Sequence, residues 1–152
     1  MSNPFEKAAS ALVGRLDLIA DEERRAKAAA DAERQEKERS FSNATALFAA
    51  AEARVDQCLR QANEAFKGSR ATLTKKVVPL SKATAGTITV SLSDSGKQLA
   101  SFRIVGNSSF KLYVHELIDP KYGPFDLADA DALPYVEMIN QFIISVTEKV
   151  AG

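Results

Sequence analysis

Much of what the chain lacks can be read directly. It has a single cysteine, Cys58, so no disulfide can close within one chain and no cysteine-based metal cluster can form. Its 20 basic and 20 acidic residues cancel. That balance gives no global attraction to nucleic acid or an anionic membrane and leaves only local patches. No apolar run approaches the roughly 20 residues of a membrane span. Met1 to Glu6 enters an amphipathic pattern directly, without the basic start and apolar core of a secretory signal, so the expected location is cytoplasmic. There is one histidine, His115, and Glu116 beside it is expected on the opposite side of a strand. A catalytic partnership between them is therefore not anticipated.

Motifs of chemistry are also missing. Ser95-Gly96-Lys97-Gln98 resembles the tail of a phosphate-binding loop, but Ser91 stands where the first glycine is needed and Gln98 follows the lysine. There is no Gly-x-Ser-x-Gly elbow, dinucleotide fingerprint or zinc spacing. Asp126, Asp129 and Asp131 lie within six residues of each other, yet they lack the glycine and closing glutamate of a calcium loop. Asp131 is better read as a helix cap ahead of Ala132-Leu133-Pro134. No cofactor is expected.

What is present is pattern. Thr87 to Ser93 alternates apolar and polar, and so do the runs through Ala100, Phe102 and Ile104 and through Phe110, Leu112 and Val114. Period two places the apolar members of each run on one face of a sheet. Asp94-Ser95-Gly96-Lys97 and Gly106-Asn107-Ser108-Ser109 separate the runs with turn residues. An antiparallel meander with one dry and one wet face follows. Val77-Val78-Pro79-Leu80 is a possible extra edge strand.

Helical spacing flanks the meander. Asn3-Pro4-Phe5-Glu6 is a helix start, with Asn3 as cap. Phe5, Ala8, Ala9, Leu12, Leu16 and Ile19 form a stripe. Lys7 and Arg15 are opposed by Glu6 and Asp17, which disfavours a membrane-surface helix. Residues 21–39 are almost entirely Ala, Glu, Asp, Lys and Arg, a solvated helix with pairs such as Asp21–Arg25, Glu23–Lys27 and Glu33–Lys37. Ser40-Phe41-Ser42-Asn43 favours caps over helix interiors, so a break or kink is expected there. A second stripe runs through Phe41, Ala44, Phe48, Ala51, Val55, Leu59, Ala62 and Phe66 and ends at Gly68. Cys58 at its edge reads as a small packed hydrophobe. Asp119 to Phe125 is a rigid loop rich in proline. A last helix, from about Ala132 to Val150, carries Leu133, Val136, Ile139, Ile143, Val146 and Val150, widened by Met138 and Phe142.

The expected class is α+β: an N-terminal helical arm, residues 1–40, and a sheet-and-helix domain, residues 41–152. In that domain a meander of three or four strands is covered on one face by two helices. The expected function is non-catalytic interaction or assembly, as a homo-oligomer or a subunit of a complex. The partner is protein, self or other, and the contact residues are Phe5, Leu12, Leu16 and Ile19. One alternative is nucleic-acid binding through the basic stretch Lys67, Arg70, Lys75, Lys76 and Lys82, helped by Arg103 and Lys111. Another is a small-ligand or enzymatic pocket near Tyr113, His115 and Tyr122.

Overall fold

A computed structural model describes residues 3–117 and 121–151; residues 119–120 of the expected rigid loop lie outside them. The class is α+β: a long N-terminal helix, a five-stranded antiparallel sheet and a C-terminal helix. The elements are α1 (Glu6–Ala65), β1 (Ala71–Val78), β2 (Gly86–Asp94), β3 (Lys97–Gly106), β4 (Lys111–His115), β5 (Phe125–Asp126), a 3-10 turn (Leu127–Asp129) and α2 (Tyr135–Ala151). By contacts the chain divides into residues 1–39 and 40–152.

Residues 40–43 are helical, which corrects the expected break. Ala44 and Phe48, one and two turns on, are buried in the core, and tertiary packing outweighs the weak local preference of Ser40, Ser42 and Asn43. The Thr45 hydroxyl donates back to the Phe41 carbonyl at 2.9 Å, the way a hydroxyl is accommodated inside a helix.

The sheet order is the chain order, β1-β2-β3-β4-β5. Leu73, Ile88, Val90, Leu92, Phe102, Ile104 and Leu112 are buried on its dry face. The β2–β3 turn has Ser95 and Gly96 both at positive φ, the geometry whose twist suits a two-residue hairpin. At the far end of the same hairpin Gly86 stands directly opposite Gly106. A Cβ on either would come within 2.7 Å of the Phe48 ring. The paired glycines therefore form a slot in the sheet that receives Phe48 from α1. Helix α2 rests on β3, with the Phe142 and Phe102 rings 4.8 Å apart and inclined at 58°.

Helix α2 begins at Tyr135, three residues later than expected. Asp131 does not cap it; its carboxylate lies 3.9 Å from Arg54. The buried face of α2 is Tyr135, Met138, Ile139, Phe142 and Val146, while Val136 and Val150 are exposed. The Tyr135 hydroxyl donates to the Ala130 carbonyl, and burial pushes its phenol well above its ordinary value, with Arg54 opposing. Burial and then the hydrogen bond to Glu137 also raise Tyr122. The folded state thus keeps these protons to higher pH than the unfolded chain. Their contribution is complete below about pH 10 and is lost as pH rises through the folded values. Urea midpoints measured from pH 8 to 11.5 should fall above about pH 10, and Tyr135→Phe should flatten that fall.

β1 is an edge strand, as its proline neighbour implied, but it covers Ala71–Val78 rather than 77–80. Its exposed edge is managed by side chains from α1. The Asn63 carboxamide accepts from Leu73 N–H and donates to Leu73 C=O, both at 2.8 Å, as a neighbouring strand would. Lys75, on the inward face of the strand, reaches Glu52 at 3.2 Å and Asp56 at 3.3 Å. An inward charge on an edge strand discourages pairing with foreign strands. Asn63→Ala should strip both partners from a buried backbone unit and lower stability by about 1–3 kcal/mol. Chemical denaturation measures that loss, and turbidity on mild heating should rise as the edge is freed.

Candidate functional site

The amphipathic stripe of residues 5–19 is the candidate interface. Its helix starts as expected: Phe5 N–H donates to the Asn3 side-chain oxygen at 2.9 Å, and Glu6 N–H to the Asn3 carbonyl at 3.1 Å. From residue 3 to 39 only Asp21 and Asp31 are even half-buried. Phe5 is 73% exposed, Leu12 59%, Leu16 53% and Ile19 42%. Val13 widens this apolar surface, whereas Leu18, also exposed, stands about 140° round the helix from its middle. Monomeric soluble proteins seldom leave such a contiguous apolar patch uncovered.

The following turns are laced by exposed ion pairs. Arg24–Asp21, Arg34–Asp31 and Arg39–Glu36 are spaced i,i+3, and Lys37–Glu33 is spaced i,i+4. Asp21 meets Arg24 rather than the expected Arg25. Each pair contributes only a few tenths of a kcal/mol, about 0.3–0.5 for such helix pairs.

The basic stretch disperses in three dimensions. Lys67 lies 3.9 Å from Glu64, and Lys75 is engaged by Glu52 and Asp56. Arg70 grips Asp94 with two hydrogen bonds of 2.8 Å. Lys82 sits 5.8 Å over the Phe41 ring. Lys76 points to the outward face of the sheet, in a row with Thr89, Arg103 and His115. On that face Arg103 is held by Glu116 at 2.9–3.1 Å, and Lys111 by Asp126. Both cations are pushed above their ordinary values, first by the hydrogen bond and then by the carboxylate's charge.

Glu116 was expected on the opposite side of β4 from His115. The strand ends at His115, however, and Glu116 takes φ of 66°, which swings its carboxylate to Arg103 on the outward face. The Tyr113 and His115 rings stack on that face, 6.5 Å apart and 27° between planes. Tyr122 belongs instead to the core, with its hydroxyl donating to Glu137 at 3.2 Å. The structure does not bring the three into one pocket. The aspartates likewise part: Asp126 to Lys111, Asp131 to Arg54, and Asp129 in the 3-10 turn. Cys58 packs half-buried against the core, and burial raises its thiol despite Arg54.

A second apolar feature was not foreseen. A groove of about 350 Å³ is lined by Phe66, Leu92, Leu99, Ile143, Val146 and Val150. The signal for it was the width of the α2 stripe, which exceeds what the sheet can cover.

No helix among the described residues is long and apolar enough to cross a membrane. No protein-family model, curated protein or solved structure matches the chain.

Proposed function

We propose that this chain is a non-catalytic assembly protein that engages a protein partner through Phe5, Leu12, Leu16 and Ile19. The single observation that carries the reading is the exposure of all four side chains, 42–73%, on one side of a well-formed helix. Leaving four large apolar side chains in water forgoes about 1.5–3 kcal/mol for each one that a partner could bury. Charge favours protein over an anionic lipid surface. Glu6, Asp17, Asp21, Glu22 and Glu23 outnumber Lys7 and Arg15 on the first five turns of the helix, whereas interfacial helices are rich in lysine and arginine. The nucleic-acid reading draws less support, since Lys67, Arg70 and Lys75 each have a carboxylate partner.

The test is the absolute mass of the full chain in solution beside Leu12→Asp/Leu16→Asp. Two charges on the stripe should abolish association while leaving the helix content and melting of the sheet domain unchanged. If the wild-type chain associates and the double variant does so equally well, the contact lies elsewhere and this assignment fails.

A further inference from the structure

The stripe continues in a regular register beyond residue 19. Phe5, Leu12, Ile19 and Ala26 are spaced by seven, and so are Ala9, Leu16, Glu23 and Ala30, offset by four from the first set. Alternate steps of four and three make the second set the a positions and the first the d positions of a heptad pattern. Seven of these eight positions are apolar over nearly four heptads, which is the length a coiled coil requires.

The residue types indicate how many helices meet. At one step of the pattern Leu16 at a is followed by Ile19 at d, the arrangement that turns preference from two strands toward three or four. Half of the flanking positions agree: Val13 and Ala20 stand at e and Ala8 and Ala29 at g, where a two-stranded coil would place charge, while Glu6, Arg15, Glu22 and Lys27 carry it. With 100° between successive residues, the apolar arc from Ala8 to Val13 spans about 140°. One facing helix covers a narrow a/d seam, whereas two neighbours are needed to cover an arc this wide.

Charge gives the direction. In a parallel bundle Glu22 at g meets Lys27 at e of the next helix, and no g–e pair sets like charges together. Both residues are available, because the ion pairs of this helix fall between other side chains. The antiparallel arrangement that best overlaps the large residues would put Arg15 against its own copy.

We infer that the partner is this chain itself, and that residues 5–30 assemble as a parallel bundle of three or four helices with Glu22–Lys27 pairs between neighbouring helices. This rests on the stripe being the contact, as proposed above.

The test is light scattering on the full chain at low salt, with the variants Glu22→Lys and Glu22→Lys/Lys27→Glu. Three or four chain masses of 16.4 kDa are expected for wild type. Glu22→Lys should raise the concentration at half-assembly at least tenfold, and the double swap should restore it. A species of two chains overturns the bundle of three or four helices but leaves the stripe as the contact. Failure of the double swap to restore assembly overturns the parallel arrangement. A wild-type chain of single mass overturns self-association altogether. If instead Leu12→Asp/Leu16→Asp leaves the oligomer intact, it is the underlying assignment of the stripe that falls.

Discussion

Phe48→Ala is expected to lower the unfolding free energy by about 3–5 kcal/mol, the range for removing a buried aromatic ring. The ring is 3% exposed and lies on the slot made by Gly86 and Gly106. Removing it leaves a cavity whose floor is glycine backbone, bordered by Leu80 and Leu112. The reverse change tests the same slot. Gly106→Ala puts a methyl group 2.7 Å from a ring carbon and should cost about 1–3 kcal/mol through overpacking. The two losses should not add. A ring that is gone cannot clash, so Gly106→Ala in the Phe48→Ala background should be nearly neutral or stabilising. A double-mutant cycle by urea denaturation gives the coupling directly. Additive losses would show that the ring does not occupy the slot.

Phe102→Ala should be of similar size, about 3–5 kcal/mol. Phe102 is fully buried at the middle of β3, and its ring meets Phe142 in a tilted arrangement. Such a pair contributes about 0.5–1.5 kcal/mol beyond the area it buries. The consequence should be uneven in space. Helix α2 loses its main aromatic seat, while the β1–β2 pairing and the Asn63 clip are untouched. Amide exchange should therefore accelerate most in Tyr135–Ala151 and least in β1, which does not pair with β3. Phe102→Leu should recover more than half of the loss. Equal acceleration throughout residues 40–151 would mean that α2 has no stability of its own to lose.

The meander was legible because β2, β3 and β4 each bury one face, and a half-buried strand writes its face into the sequence with period two. β1 was read short for the same reason. Its inward positions are Leu73, Lys75 and Val77, and a lysine in the middle erases the alternation. Only the presence of Glu52 and Asp56 on α1 makes that lysine acceptable inside, and nothing local to β1 indicates them. β5 has two residues, too few for any period. The helix through 40–43 was misread because capping preference is local, whereas the burial of Ala44 and Phe48 is set by distant strands. The stripe at Phe5, Leu12, Leu16 and Ile19 was visible from spacing alone. The turn of Glu116 onto Arg103 was not, since it depends on a backbone angle that glutamate seldom adopts.

The coincidence of sheet order with chain order has a kinetic consequence. Each strand pairs with the one made just before it, so no long loop has to close before a ladder can grow. Hairpins of this size form in about 1–10 μs, and the β2–β3 hairpin carries the tightest turn to start from. The slower event is the arrival of the two helices from opposite ends of the sequence, since Phe48 and Phe142 must both reach β3 or its glycine partner. Refolding rates should accordingly respond more to Ser95 and Gly96 than to Phe142, and unfolding rates more to Phe142 than to the turn.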